Sequence, residues 1–258
     1  KNLVWTASQA IDMLKFTSDN TSLSYLPLSH IAEQMFTIHA PIITGWKVYF
    51  ATGLLDVLDN LKEVKPSILF GVPRIWEKFY AGLKEKLGEA SGLKEKIVNF
   101  SLQAGEEHNA DIFRGGSGGG WKYNVANKLL FSKVKNALGL NNLKVGVTGA
   151  APINADILKL FASLDIMVVE VYGQSEGSGP TSFNRPWNNK PGSVGPAFPG
   201  TEVKIADDGE IMLKGSNVFL GYYKDQEETD ACLKDGWLYS GDVGKFDDEG
   251  FLYITGRK

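Results

Sequence analysis

Cysteine is nearly absent from this chain, since Cys232 is the only one among 258 residues. A disulfide framework is therefore excluded, which favours a reducing compartment. A strong excess of one charge is also missing, because the formal net charge is only −3, and this argues against a nucleic-acid-binding surface. No apolar run approaches the ~18 residues of a membrane span. What is present is a 43% hydrophobic composition, which is enough for a large core.

The sequence lacks the P-loop of nucleotide-hydrolysing enzymes and has only part of the signature of a serine hydrolase. No G-x-x-x-x-G-K-S/T sequence occurs, so a P-loop NTPase is disfavoured. Residues 173–177 match G-x-S-x-G, the nucleophile elbow of a serine hydrolase, with Ser175 as the nucleophile. That class needs its histidine after the serine, and no histidine follows His108. A serine hydrolase is therefore disfavoured but stays open as an alternative.

Strand-like and helix-like segments alternate through the first part of the chain. The pattern predicts helices at 31–40, 54–62, 75–87 and 154–164, and short apolar strands between them. Such alternation predicts an α/β fold, with a doubly wound, mostly parallel sheet and flanking helices.

The pattern changes after Gly195. Strands predicted at 201–205, 210–213, 244–246 and 251–254 are joined by turns rich in aspartate and glycine. We therefore expect an α/β part at 1–194 and a small antiparallel, barrel-like β subdomain at 195–258. By composition, residues 115–120 (GGSGGG) indicate a flexible linker, either natural or engineered.

The most informative segment is 168–177, where an apolar run ends in Tyr172, Gly173, Ser175 and Glu176. A buried strand that ends in this way places such residues at the carboxyl edge of a sheet, where open α/β folds bind ligands. The predicted strand at 144–148 runs into a second loop of small residues. A right-handed crossover through the helix at 154–164 would bring both loops to the same edge.

Six segments, in order along the chain, resemble the adenylate-forming acyl-activating enzymes, and most closely the long-chain fatty-acyl-CoA synthetases of the bubblegum type. A single short motif is weak, but six in order over nearly the whole chain are specific. The segments are YLPLSH (25–30), GVPRIW (71–76), GAAP (149–152), YGQSE (172–176), YSGD (239–242) and GR (256–257).

The resemblance implies a two-step reaction. A fatty-acid carboxylate attacks the α-phosphorus of ATP, giving an acyl-adenylate and pyrophosphate, and the thiol of coenzyme A then displaces AMP. The implied cofactors and partners are ATP or AMP, Mg²⁺, coenzyme A and a long-chain fatty acid, with no nucleic acid. The implied location is the cytoplasm, with peripheral association with the endoplasmic reticulum or another membrane left open.

Three residues are assigned near the reacting groups by the resemblance. Glu176 would bind Mg²⁺, since a hard cation takes oxygen ligands, and Ser175 would contact the α-phosphate. His30 would lie beside the acyl carboxylate and the adenylate, and a helix-capping histidine is its alternative. These three are the candidate catalytic residues, and Glu176 is the candidate metal ligand.

The nucleoside is assigned to a second group of residues. Tyr172, Gly173 and the loop of Gly149, Ala150 and Ala151 would enclose the adenine, because small residues let the backbone approach a ligand. Asp242 would accept both ribose hydroxyls, and Arg257 would reach the ribose or a phosphate. A core tyrosine, a turn aspartate and a solvated arginine are the structural alternatives. Trp46, Phe70 and Trp76 are predicted to be core residues rather than an acyl tunnel.

Two parts of this family have no counterpart between Lys1 and Lys258. They are a phosphate loop upstream and a small C-terminal domain that carries a catalytic lysine. The sequence is therefore expected to be a fragment of the large domain that is nearly inactive by itself. A non-catalytic nucleotide-binding module is the remaining alternative, because it would share the fold.

Overall fold

The first of two sheets has six strands in the order β2-β1-β3-β4-β5-β6, in a computed structural model that describes residues 1–258. The first five strands in this order, β2, β1, β3, β4 and β5, run parallel to one another. Only β6 is antiparallel, and it pairs with β5. The predicted α/β class with a mostly parallel sheet is therefore confirmed. The strands are β1 (Thr21–Ser24), β2 (Lys47–Phe50), β3 (Ile68–Gly71), β4 (Val145–Thr148), β5 (Val168–Gln174) and β6 (Gly179–Phe183).

Ten helices accompany the strands, and none is long and apolar enough to cross a membrane. The segment predicted as one helix at 31–40 is two short helices joined by a π turn, Met35–His39, and a second π turn, Asn127–Phe131, joins α7 to α8. The helices are α1 (Asn2–Leu14), α2 (Ile31–Gln34), α3 (Ala40–Thr44), α4 (Val57–Val64), α5 (Pro73–Gly88), α6 (Leu93–Ile112), α7 (Trp121–Ala126), α8 (Ser132–Leu138), α9 (Ala155–Ser163) and α10 (Gln226–Cys232).

Separate hydrophobic cores lie on the two faces of the first sheet. Leu69 of β3 packs into a core that includes Trp76 of α5 and Phe161 of α9. Its neighbours Ile68 and Phe70 belong to a second core on the other face. Side chains alternate between the faces of a strand, and all four residues of β3 are buried. The continuous apolar run of β3 is thus explained by burial on both faces.

The second sheet is antiparallel, with the order β11-β10-β8-β7 and the short β9 paired with β10. The predicted small antiparallel β part is therefore confirmed. Its longest strand was predicted too short, because a break in register between Tyr239 and Val243 bends it at Gly241, whose φ is +74°. The strands are β7 (Thr201–Ile205), β8 (Glu210–Gly215), β9 (Leu233–Lys234), β10 (Trp237–Phe246) and β11 (Leu252–Arg257). The division at 194/195 stays a prediction.

The glycine-rich loop at 115–120 makes specific contacts with α6. The N–H of Gly118 donates to Asp111 Oδ2 at 2.8 Å, and the N–H of Gly119 donates to His108 Nδ1 at 2.6 Å. A Cβ at Gly118 would lie 2.4 Å from the His108 ring, and the φ of this residue is +60°. Composition alone indicated a flexible linker, whereas glycine here also permits a close approach to a side chain.

Candidate functional site

A cavity of about 840 Å³ opens at the carboxyl edge of the parallel sheet and reaches residues of the second sheet. This volume lies within the range of small-molecule sites. Its wall includes Ser175 and Glu176 after β5, His30 after β1, and Gly241 of β10. The two predicted loops meet at this edge because β4 and β5 are adjacent and parallel, with α9 between them in sequence.

Most of the predicted site residues are gathered here, though not all of them line the cavity. Six of them do so: His30, Ala150, Gly173, Ser175, Glu176 and Arg257. Tyr172 and Asp242 flank this wall, since each adjoins a lining residue in sequence, and Gly149 and Ala151 adjoin Ala150 in the same way. Their roles toward a ligand stay predictions.

Glu176 is held by a residue that the sequence did not single out. The carboxylate follows β5 in a 3₁₀ turn, Ser175–Gly177, and its Oε1 accepts a hydrogen bond from the Tyr222 hydroxyl at 2.8 Å. Partial loss of solvent, and next the hydrogen bond to Glu176, raise the pKa of Tyr222, so this hydroxyl remains a donor. The other carboxylate oxygen, Oε2, has no hydrogen-bond partner in the chain. Glu176 therefore keeps one oxygen for a ligand.

The serine-hydrolase alternative is not supported by this geometry. A nucleophile elbow turns from a strand into a helix. Here β5 enters a 3₁₀ turn of three residues and reverses, through Ser178 at φ +52°, into the antiparallel strand β6. Ser175 lies exposed on this turn.

We predict that a fluorophosphonate probe leaves Ser175 unlabelled, because no histidine follows it in the sequence and the turn is not an elbow. In-gel fluorescence of the treated protein should match that of Ser175→Ala. Labelling that disappears in the alanine variant would restore the hydrolase hypothesis.

His30 is a helix cap that also lines the cavity, so its predicted role toward a ligand stays open beside the capping role. It is the N-cap of α2, where its Nδ1 accepts a hydrogen bond from the Ala32 N–H at 3.2 Å, and its ring lies 6.0 Å from that of Phe70. It also lines the cavity. Because Nδ1 is the acceptor, the neutral ring carries its proton on Nε2. Nε2 is then the ring atom that remains to donate to a ligand.

Tyr172, Asp242 and Arg257 form a connected group beside the cavity. The Tyr172 hydroxyl donates to Asp242 Oδ2 at 2.8 Å, and burial raises the pKa of this tyrosine. Arg257 is the register partner of Asp242 across β10 and β11, and its Nε is 3.6 Å from Asp242 Oδ1. The Arg257 side chain is 83% exposed, so this ion pair contributes little stability. Asp242 thus has its position fixed mainly by Tyr172.

Two glycines near the cavity are required by neighbouring strands, whether or not a ligand is bound. A Cβ at Gly149 would lie 2.8 Å from the carbonyl oxygen of Val171. A Cβ at Gly173 would lie 1.8 Å from the carbonyl oxygen of Gly179, on the paired strand β6. Packing alone is therefore a sufficient reason for glycine at both positions.

Gly173→Ala is expected to lower the free energy of unfolding by about 1–3 kcal/mol, the usual cost of overpacking. Gly82→Ala is the matched control, because no atom lies within 4 Å of its added Cβ and it lies inside α5. That control should gain about 0.5–1 kcal/mol from helix propensity. Urea denaturation of the three proteins measures both changes, and equal stability of Gly173→Ala and wild type would contradict the packing argument.

Glu170 is a buried carboxyl group next to the site on β5. Burial raises its pKa to about 8, and the Gly192 N–H that donates to its Oε2 at 2.8 Å opposes this shift only partly. The unfolded carboxyl titrates near its ordinary value of 4.5. Between these pH values the folded state holds a proton that the unfolded state releases, so raising the pH lowers the free energy of unfolding.

Glu170→Gln should flatten this pH dependence, because the amide keeps an acceptor for Gly192 and does not titrate. Urea denaturation at pH 5, 6, 7 and 8 should show a wild-type stability that falls more steeply with pH than that of the variant. Parallel curves would mean that Glu170 is ionised in the folded protein throughout this range.

The cavity also has an apolar arm between α1 and the helical segment that contains α2 and α3. Ala7, Leu14, Phe16 and Trp46 line this part of the wall. Trp46, Phe70 and Trp76 are all buried in the cores, as predicted. Trp46 and Phe70 also line the cavity, whereas Trp76 does not. Trp46 and Phe70 therefore belong both to the core and to the wall of the cavity.

The chain matches the family described as AMP-binding enzyme over residues 1–223. It is 41% identical to long-chain-fatty-acid–CoA ligase ACSBG2 of Xenopus laevis over 271 residues, covering 99% of this chain and 36% of that protein. It is 38% identical to the human ACSBG2, covering 99% of this chain and 40% of that protein. The chain therefore spans well under half the length of these curated relatives.

Among solved structures, the chain is similar to the O-succinylbenzoate coenzyme A synthetase of Bacillus subtilis in complex with AMP. The TM-score is 0.70 at 22% identity, over 100% of this chain and 45% of that one. The same enzyme in complex with ATP and magnesium ion gives a TM-score of 0.69 at 23% identity, over 99% of this chain and 45% of that one. At this identity the similarity shows the fold alone.

Proposed function

The chain belongs to the AMP-binding enzyme family, and we propose that it carries the nucleotide- and acyl-binding cavity of a long-chain-fatty-acid–CoA ligase. One observation supports this most directly. A single cavity joins a polar end, with Ser175, Glu176 and His30, to an apolar arm at Leu14, Phe16 and Trp46. An acyl-adenylate has the same two parts, a nucleotide and an alkyl chain.

The proposed reaction has two steps. The fatty-acid carboxylate forms a bond to the α-phosphorus of ATP, and the bond to the pyrophosphate leaving group breaks. The thiol of coenzyme A then attacks the acyl carbon, and AMP leaves. The choice of coenzyme A as the thiol is supported by the relatives, which are named as CoA ligases.

Ser175 and His30 would bind the oxygens between nucleotide and acyl chain. Ser175 is exposed at the tip of its turn, so its hydroxyl is free to donate to a phosphate oxygen. His30 has its ring fixed by the cap at Ala32, which leaves Nε2–H to donate. Fixed donors of this kind stabilise charge that develops during acyl and phosphoryl transfer.

The residues present fit a magnesium ion. Glu176 provides a carboxylate on the cavity wall with one oxygen unpartnered, and Ser175 adds a hydroxyl beside it. No group of three or more His, Cys, Asp or Glu residues is placed to hold a metal. This suits Mg²⁺, which commonly takes one or two protein carboxylates and completes its shell with phosphates and water. When bound, Mg²⁺ would offset the charge of the phosphates.

The proposal is tested by binding of a non-hydrolysable acyl-adenylate analogue. Calorimetry should show that a hexadecanoyl analogue binds more tightly than an acetyl analogue, and that both bind more tightly than adenosine. The apolar arm is the reason to expect this dependence on chain length. Equal affinity for both acyl chains would remove the long-chain assignment, and no binding of either would remove the adenylate site.

Turnover is measured separately as pyrophosphate release with ATP, Mg²⁺ and palmitate. It should be assayed for this chain and for the longest form of the protein that its gene encodes. Analogue binding without turnover in both forms would favour a non-catalytic nucleotide-binding module.

A further inference from the structure

A second groove, of about 660 Å³, lies among α5, α6, α8 and the π turn before α8. It shares no lining residue with the cavity described above. Its wall includes Phe79 and Leu83, which belong to the core on one face of the first sheet, whereas the cavity is lined by Phe70 and Val147 of the other core. The groove and the cavity are therefore separate sites.

The floor of this groove is apolar. Leu83 is buried and the others are half-buried: Leu87, Val98, Leu130, Val134 and Leu138. At Gly82, which also lines the groove, no atom lies within 4 Å of the position of a Cβ. The groove is thus open beside Gly82, next to its apolar floor.

The rim of the groove carries four lysines and one glutamate: Lys78, Lys86, Lys94, Lys133 and Glu89. None of these lysines forms a salt bridge, whereas Lys122, Lys135 and Lys190 are all paired with carboxylates. Lys78 and Lys86 are two turns apart on α5, which separates them by about 12 Å along the helix axis. The positive charge is therefore spread along the groove in a chain whose net charge is −3.

We propose that this groove binds a long-chain acyl group joined to a head with several phosphates, which is the chemistry of a long-chain acyl-coenzyme A. The alkyl chain covers the apolar floor, and the phosphates lie among the lysines. A free fatty acid has a single charge and cannot engage lysines at both ends of the rim. A flat membrane surface would not reach a concave floor. If the proposed function holds, the ligand is the product of the reaction, bound outside the catalytic cavity.

Photo-cross-linking locates the ligand. Palmitoyl-CoA with a diazirine in its acyl chain is irradiated with the protein, and labelled peptides are identified by mass spectrometry. Label is expected in the peptides that contain residues 79–98 and 129–138. Label confined to peptides of the catalytic cavity would overturn the proposal. The assay measures no turnover, so its failure is distinct from failure of the ligase proposal.

Matched variants test the two parts of the groove. Lys86→Gln with Lys133→Gln should lower this labelling about 30-fold, which corresponds to roughly 1 kcal/mol for each of the two lysines near anionic headgroups. Lys84→Gln with Lys96→Gln is the control, because these exposed lysines lie on α5 and α6, two of the helices that form the groove, and do not line it. Gly82→Leu fills the open space in the groove and should compete with the acyl chain at no cost in helix propensity.

Two further ligands separate the contribution of the phosphates from that of the acyl chain. Coenzyme A without an acyl chain and monopalmitin without charge should both bind at least about tenfold more weakly than palmitoyl-CoA. Equal binding of monopalmitin, or equal losses in the groove and control variants, would contradict the charge argument. Sedimentation with anionic vesicles that depends on Lys86 and Lys133, with no labelling by monomeric palmitoyl-CoA, would replace the proposal with a membrane-docking surface.

Discussion

Glu176→Gln is expected to lower the rate of adenylate formation by about 10²–10³-fold, the usual effect of losing one preorganised group that stabilises transition-state charge. Glutamine keeps the size and an oxygen acceptor for the Tyr222 hydroxyl, so the local fold should persist. What it removes is the negative charge that would attract Mg²⁺ at the cavity wall. Pyrophosphate release at saturating ATP and palmitate, by the longest form of the protein that its gene encodes, measures the change.

Two variants make the result specific to this carboxylate. Glu202→Gln changes an exposed glutamate on β7 that does not line the cavity, and should leave the rate unchanged. Tyr222→Phe removes the hydrogen bond to Oε1 and leaves the carboxylate intact, so it should change the Mg²⁺ concentration required more than the maximal rate. A Glu176→Gln protein with the wild-type rate at all Mg²⁺ concentrations would remove Glu176 from the metal site.

Asp242→Ala is expected to weaken binding of AMP or of an acyl-adenylate analogue by about 1.5–3 kcal/mol, the scale of hydrogen bonds to a charged group. The Tyr172 hydroxyl occupies Oδ2 at 2.8 Å, while Oδ1 faces Arg257 at 3.6 Å. The carboxylate therefore retains acceptor capacity for ribose hydroxyls. Isothermal titration calorimetry gives the difference directly.

Controls for this second prediction come from its neighbours. Asp248→Ala alters an exposed aspartate in the next turn and should bind AMP like wild type. Tyr172→Phe keeps the ring and removes the donor that orients Asp242, so its loss of affinity should be smaller than that of Asp242→Ala. An Asp242→Ala protein that is folded and binds AMP unchanged would place the ribose elsewhere.

The strand that leads into the site was predictable because its residue types and its end point both favour a strand at this place. A β-branched run at 168–171, interrupted only by Glu170, stops at Tyr172, and the structure has β5 there, at the edge where the cavity opens. The turns were predictable for a similar reason. Asp208 and Gly209 join β7 to β8, with the Asp208 side chain accepting from the Glu210 N–H at 3.2 Å. Such features depend on neighbours in sequence.

The partners of the site residues were not predictable in this way. Tyr222 reaches Glu176 across 46 residues, and Tyr172 reaches Asp242 across 70. Nothing in the local pattern of residues 221–223 distinguishes Tyr222, which is 36% exposed, from Tyr223, which is 88% exposed. The requirement for glycine at 173 likewise comes from the carbonyl of Gly179 on a paired strand.

By itself the sequence determined the α/β class, the strand–helix–strand unit of β4, α9 and β5 beside the site, and the edge at which the candidate residues gather, because hydrophobic periodicity and turn chemistry act over a few residues. Only the tertiary structure decided which side chains touch, that Glu170 is buried with a raised pKa, and that four unpaired lysines surround an apolar groove. Those properties arise when distant segments pack together and exclude water, so they depend on the relative placement of elements that no local pattern encodes.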